Sequence, residues 1–153
     1  MTDEKKSIVH GTAVALPGLQ EPAAVLLRGL SGAGKSDLAF RLIEEGGALI
    51  SDDQVVLERR QEKIYASGLE AIRGLLEVRG VGLLRYAPAG PASLRMIVDL
   101  CAREDVPRLP FPETLDILGL KIPFLKLHAF DASSSAKVRK ALSVVNNPRL
   151  LVQ

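Results

Sequence analysis

With 153 residues, 47% of them hydrophobic and 25% charged, the chain has enough apolar material for one folded unit with a real core. A formal charge of +2, four Phe, two Tyr and no Trp argue against a nucleic-acid binder, which needs a strong basic surface and rings for base stacking. No apolar run nears the ~20 residues of a membrane span, no hydrophobic signal region follows the charged N-terminus, and the single cysteine rules out an internal disulfide, so a cytoplasmic protein is expected.

Residues 1–7 are predicted as a flexible N-terminus, followed by a single domain over 8–153. Ile8 to Leu16 reads as a strand stopped by Pro17-Gly18, and Ala23 to Leu27 as a short buried strand. Next comes Gly29-Leu30-Ser31-Gly32-Ala33-Gly34-Lys35-Ser36, a gapless match to G-x-x-x-x-G-K-[ST], with a helix predicted from Ser36 to Glu45 and ended by Gly46-Gly47. Strand, glycine loop and helix form the setting this phosphate-binding motif requires. Ala48-Leu49-Ile50 is a further buried strand, which delivers Ser51-Asp52-Asp53 at its carboxyl end, where ligands sit in open α/β sheets.

Val55 to Arg59 and Lys63 to Ala66 are predicted as a hairpin around Arg60-Gln61-Glu62, and Leu69 to Leu75 as a short helix. Leu76-Glu77-Val78-Arg79-Gly80-Val81-Gly82 alternates charged and apolar residues, so a half-buried strand presenting Glu77 and Arg79 on one face is expected. Tyr86 to Ser93 is a Pro/Gly/Ala loop, and Leu94 to Leu100 a strand. Cys101 after it is read as a small buried hydrophobe rather than a nucleophile. Prolines at 107, 110 and 112 forbid a helix between Arg103 and Glu113. Thr114 to Leu118 and Lys121 to Leu127 then form a hairpin turning at Gly119. The last element is a helix capped by Asp131 or Ser133, with Val138, Leu142 and Val145 on one face and Lys137, Arg139 and Lys140 elsewhere.

Residue chemistry points to ATP. Glycines at 29, 32 and 34 let successive N–H groups turn onto phosphate oxygens at a helix N-terminus, Lys35 supplies a mobile charge for the β and γ phosphates, and Ser36 offers a hydroxyl to Mg²⁺. Asp52 and Asp53 suit the two acidic tasks of such a site: holding water or metal, and accepting a proton from an attacking hydroxyl. His10, with a reference pKa near ~6.5, is open to two readings: a group that orients a nearby carboxylate, or a satisfied core histidine. Glu77 alone reads as half of a surface ion pair with Arg79.

The order His10-Gly11, then Gly29 to Ser36, then Leu49-Ile50-Ser51-Asp52-Asp53, then Leu76-Glu77-Val78-Arg79-Gly80-Val81-Gly82 resembles the catalytic domain of bacterial HPr kinase/phosphorylase over roughly residues 7–125. The Glu-Val-Arg-Gly element is the specific part, because many unrelated enzymes share the phosphate loop. The resemblance implies an α/β phosphate-loop domain of the HPr kinase and phosphoenolpyruvate carboxykinase type, a mixed sheet with flanking helices, and a hexameric assembly. It implies an ATP- and Mg²⁺-dependent serine kinase acting on HPr or an HPr-like carrier, within a regulatory phosphotransfer system that controls carbon and nitrogen metabolism. Asp53 then matches the acid/base, with Asp52 as its acidic companion and His10 assisting. Lys35 matches the phosphate ligand, Ser36 and Glu77 match the Mg²⁺ ligands, and Arg79 serves both directions of catalysis.

Long family members carry a Pro-Gly-Arg-Asn-like element with a catalytic arginine where this chain has Ala129-Phe130-Asp131-Ala132-Ser133, and they continue into a basic loop and helix beyond residue 153. The chain resembles the short alphaproteobacterial form, and a weakened phosphorylase reaction is expected. Two other functions compete with the kinase: an ATP-sensing binding module without turnover, and a small-molecule kinase on the same scaffold. Retention of His10, Asp52, Asp53 and Glu77 together argues against the sensor, which needs the loop but no base. The basic helix from Ser134 to Val145 is read as a solvated face.

Overall fold

Strands rich in Val, Leu, Ile and Ala alternate with glycine and proline turns along most of the chain, and they build one large mixed sheet. In the computed structural model, which describes residues 5–152, the elements run β1 Lys6–His10, β2 Thr12–Leu16, β3 Ala23–Arg28, α1 Lys35–Glu44, β4 Ala48–Ser51, β5 Gln54–Arg60, β6 Lys63–Gly68, β7 Leu75–Val78, β8 Gly82–Arg85, β9 Ala92–Leu100, β10 Glu113–Ile117, β11 Leu120–Leu127 and α2 Ser134–Asn146. Nine strands share a sheet in the order β1-β5-β6-β9-β3-β2-β4, with β11 also paired to β9 and β10 to β11; β7 and β8 form a separate ribbon. The pairs β3/β9 and β9/β11 are parallel and the rest antiparallel. Because β3 runs along one edge of β9, β6 and β11 divide the other: β6 pairs at Ala92 and Ser93, β11 from Ile97 to Leu100.

The two faces of this sheet are covered differently. Val14, Leu16, Val25, Leu27, Met96 and Val98 point to one side, where Leu38, Ala39 and Leu42 of α1 and Val138 and Leu142 of α2 close over them. Ala13, Ala15, Ala24, Leu26 and Ile97 point to the other side and pack with Ile50, Val55, Leu57, Ile64, Ala66 and Ile122, so this second core is closed by strands alone. Curling of the sheet brings its distant parts together, and a Cβ added at Gly68 in β6 would lie 2.8 Å from the Ile50 carbonyl oxygen in β4. The inside-outside alternation of β9 slips by one residue at exposed Arg95, where its register with β3 also shifts. Both helices therefore lie on the same face, and the predicted mixed sheet with helices is present with the flanking on one side only.

Several predicted boundaries move. The stretch predicted as one strand from Ile8 to Leu16 divides at Gly11, because β1 pairs with β5 whereas β2 pairs with β3 and β4. Lys6 and Ser7, expected in a flexible terminus, belong to β1, held by cross-strand partners Glu58 and Leu57. The helix expected over Leu69–Leu75 is a single 3₁₀ turn at Glu70–Ile72, since β7 already begins at Leu75. Another 3₁₀ turn, Arg103–Asp105, precedes the prolines. The strand expected from Leu76 to Gly82 ends at Val78, where the Val81 N–H bonds the Val78 carbonyl at 2.9 Å and closes a turn through Arg79 and Gly80. The turn at Gly119 and the α2 face of Val138 and Leu142 stand as predicted. Neither candidate cap of α2 works through its side chain: the Asp131 backbone carbonyl accepts from Ser134 N–H, and the Asp131 carboxylate is held by Arg103.

Candidate functional site

Parallel β3 and β9 end side by side, and the chain leaving β3 forms the glycine loop that opens α1. Gly34 is the residue before the helix and adopts φ 100°, a left-handed conformation that few side chains accept. A Cβ there would also fall 2.6 Å from the Ala129 Cβ, so glycine is required twice over. Ala33 N–H bonds the Leu30 carbonyl at 2.9 Å and tightens the turn. Lys35 curls back so that its Nζ donates to the carbonyls of Gly29 at 2.8 Å and Leu30 at 3.2 Å. The ammonium is thus stored at the mouth of the loop.

Strand register brings the acidic pair to this loop. Central β2 lies between β3 and β4, with Thr12 opposite Leu27 and Ala13 opposite Ser51. Thr12 is fully buried and donates its hydroxyl to Asp52 Oδ1 at 2.7 Å, while Ser36 at the start of α1 donates to the same oxygen at 2.9 Å. Asp52 Oδ2 has no partner among the described residues. Asp53 follows at φ 73°, an uncommon conformation for a residue with a Cβ, and its carbonyl accepts the Gly11 N–H at 3.1 Å. That bond fixes the break between β1 and β2 beside the turn after β4. The Asp53 carboxylate is 71% exposed and lies 3.5 Å from His10 Nδ1. Hence His10, Lys35, Ser36, Asp52 and Asp53, scattered over 44 sequence positions, meet where β1, β3 and β4 end.

Glu77 and Arg79 are carried by the β7–β8 ribbon rather than by the large sheet or α1. Leu76 and Val78 pin the β7–β8 ribbon on Leu49, Phe40 and Ile43, which leaves Glu77 on the exposed face and Arg79 in the turn rather than beside it on a strand. Among the described residues the two form no ion pair with each other, and no cluster of three or more His, Cys, Asp or Glu side chains assembles around Glu77 or Asp52. The side chain bonded to Ser36 is Asp52, not Glu77. An oxygen set of Ser36 Oγ and the Asp52 carboxylate suits Mg²⁺, a hard cation held by one or two carboxylates with substrate phosphates.

Three features escaped the sequence reading. Thr12 is a polar residue in an otherwise apolar strand, and that anomaly was its signal. Arg28 and Asp99, the last pair in the β3/β9 register, form a two-pronged ion pair (Nε–Oδ1 2.7 Å, Nη2–Oδ2 3.0 Å) that ties the two strands together just before Gly29. The Asp99 carboxylate raises the Arg28 pKa above its usual range, against an opposing effect of burial. Ala129 and Phe130 pack on Gly34, a contact that linear spacing could not reveal. Cys101 is only partly buried, and desolvation pushes its thiol pKa up, a further argument against a nucleophile.

A family model described as the HPr Serine kinase C-terminal domain matches residues 3–142. The chain belongs to this family. The HPr kinase/phosphorylase of Acidovorax sp. (strain JS42) is 38% identical over 135 residues, covering 80% of this chain and 41% of that protein. The protein of the same description from Chloroherpeton thalassium is 31% identical over 149 residues, 88% of this chain and 42% of that one. The chain thus spans about two-fifths of the length of these curated relatives. A solved structure described as the Hpr(Ser) kinase/phosphatase from Coxiella burnetii superposes with a TM-score of 0.77 at 21% identity, covering 94% of this chain and 97% of that one. At that identity the likeness establishes the shared HPr-kinase fold. Among the described residues no helix is long and apolar enough to cross a membrane.

Proposed function

We propose that this chain is an ATP-dependent protein-serine kinase whose acceptor is a seryl hydroxyl of HPr or an HPr-like phosphocarrier. The observation that carries the reading is the convergence at Asp52: one carboxylate oxygen gathers the hydroxyl of the phosphate-loop serine and that of Thr12, and the adjacent Asp53 carboxylate stands exposed beside it. Family membership and relatives named HPr kinase/phosphorylase support the same reaction.

In this mechanism the loop N–H groups and the α1 N-terminus receive the phosphates of ATP, and Lys35 exchanges its two carbonyl partners for phosphate oxygens. Ser36 and Asp52 would hold Mg²⁺, which would offset phosphate charge; on the Glu-Val-Arg-Gly match, Glu77 would be a second carboxylate for it and Arg79 a cation for the transferred group. Asp53 takes the proton from the attacking seryl oxygen, and His10 orients that carboxylate. Phosphoryl transfer needs little else from the protein, since positioning and electrostatic stabilisation supply most of the rate. The reverse, phosphorylase reaction is expected to be weak, because residues 129–133 offer no arginine over the phosphate loop.

The test is incubation of the purified chain with γ-labelled ATP, Mg²⁺ and purified HPr. Acid-stable label on a serine is expected, and its absence with every HPr paralogue of the source organism would overturn the assignment. Lys35→Ala should abolish ATP binding with an unchanged circular dichroism spectrum.

A further inference from the structure

The segment after β11 is gripped by two arginines from different elements. Ala129 is fully buried and, with the Phe130 ring, abuts Gly34: a Cβ on that glycine would lie 2.6 Å from Ala129 Cβ and 2.8 Å from Phe130 Cζ. Arg41, in the last turn of α1, forks onto this segment, donating Nη1 to the Asp131 carbonyl at 3.2 Å and Nη2 to the Ala129 carbonyl, while the same Nη2 meets Asp37 Oδ2 at 3.0 Å. From beyond β9, Arg103 donates Nε at 2.9 Å and Nη2 at 2.5 Å to Asp131 Oδ1. His128 is tied from both sides, its carbonyl accepting the Ser134 hydroxyl at 2.5 Å and its Nδ1 lying 2.9 Å from the Cys101 carbonyl.

A planar guanidinium holds its donors in a fixed fork, which lets Arg41 engage two backbone carbonyls and the Asp37 carboxylate together, in set directions that a freely rotating ammonium does not impose. Arg41 belongs to the helix that Gly34 opens, so its fork ties the far end of α1 to the segment that walls the near end. Backbone N–H groups bind phosphate well only when already aimed, and a site misplaced by a fraction of an ångström loses much of its affinity.

We propose that Arg41 and Arg103 are positioning residues for ATP: they hold residues 129–131 so that Ala129 and Phe130 seat on Gly34, and thereby keep the first turn of α1 in its phosphate-receiving geometry. Arg41 dominates, since the Arg103 side chain is 67% exposed and its ion pair is correspondingly screened. The inference rests on the nucleotide reading of the loop but not on the identity of the acceptor.

The experiment measures the Kd of Mg-ATP by titration calorimetry on the full chain, together with the melting temperature and amide hydrogen exchange at Gly34 and Lys35. Arg41→Met should weaken binding ~10-fold, the loss expected for hydrogen bonds from a charged donor. Arg41→Lys should restore it only in part, and Arg103→Gln should cost ~2- to 3-fold. In Arg41→Met, exchange should quicken at Gly34 and Lys35 while core amides of β3 and β9 stay protected. Should Arg41→Met fold poorly, Phe130→Ala removes the wall at a half-exposed side chain and should weaken ATP binding in the same way. A lowered melting temperature with wild-type Kd and wild-type exchange at Gly34 would reduce the clamp to a structural tie and overturn the proposal. No ATP binding by the wild type would overturn the nucleotide reading first, and the clamp with it.

Discussion

Asp52 and Asp53 are adjacent in the chain and placed for opposite tasks. Asp52 turns inward to the hydroxyls of Thr12 and Ser36, whereas Asp53, with φ 73°, turns outward to His10 and solvent. The positive φ of Asp53 belongs to the turn that leaves β4, where its carbonyl takes the Gly11 N–H and its carboxylate faces His10. Asp53→Asn keeps the size and local hydrogen bonding of the turn but removes the base, so phosphoryl transfer should fall by ~10²-fold or more while Mg-ATP affinity changes little. Single-turnover transfer alongside calorimetry separates the two effects. Thr12→Val preserves shape in the buried strand and deletes one of the two hydroxyl donors to Asp52. The loss should destabilise the protein by about 1–2 kcal/mol in denaturant unfolding and raise the Mg²⁺ concentration needed for half-maximal activity.

At the scale of elements, α1 is the part that both opens at the phosphate loop and reaches the rest of the fold. Its far end meets α2, where Glu45 accepts from Arg139 and, at 3.3 Å, from the Ser135 hydroxyl. The Arg139 guanidinium is the main reason why the Glu45 carboxyl is held below its ordinary value; desolvation opposes it, and the Ser135 hydroxyl and the charge of Arg41 add smaller lowering effects. Because the folded value is depressed, the stabilising contribution of the pair is complete above the unfolded value of about 4.5 and disappears as pH falls through the folded one. Melting temperatures of the wild type and Glu45→Gln should therefore differ near neutral pH and converge on acidification. The difference is expected to be small, given an exposed pair, and to shrink in high salt. The β7–β8 ribbon shows where periodicity misleads: Leu76-Glu77-Val78-Arg79 alternates as a strand should, yet Gly80 at φ 91° turns the chain before Arg79 can share a face with Glu77.

For the molecule as a whole, the sheet carries two cores, one closed by helices and one closed by its own curl. Leu26, 1% exposed, points from β3 into the strand-only core, and its Cδ1 lies 3.0 Å from where a Cβ on Gly11 would be. Leu26→Ala should cost about 2–5 kcal/mol, with the melting temperature lowered by ~4–15 °C, and scanning calorimetry checks it. The phosphate loop, its flanking strand and helix, the strand bearing Asp52-Asp53 and the two later hairpins were legible in the residues, because apolar period, glycine placement and the motif itself are local properties of the chain. Glycine at 32 and 34, both at positive φ, followed by Lys-Ser determines the tight turn that opens α1 between its flanking strand and helix. Pairing order, by contrast, belongs to the tertiary structure. Only the insertion of β2 between β3 and β4 brings Thr12 to Asp52, only the break at Gly11 sets His10 against Asp53, and only the return of β11 beside β9 lays Ala129 and Phe130 on Gly34. Contacts between distant segments are decided by which cores the strands can jointly bury, a competition that no single stretch of sequence records.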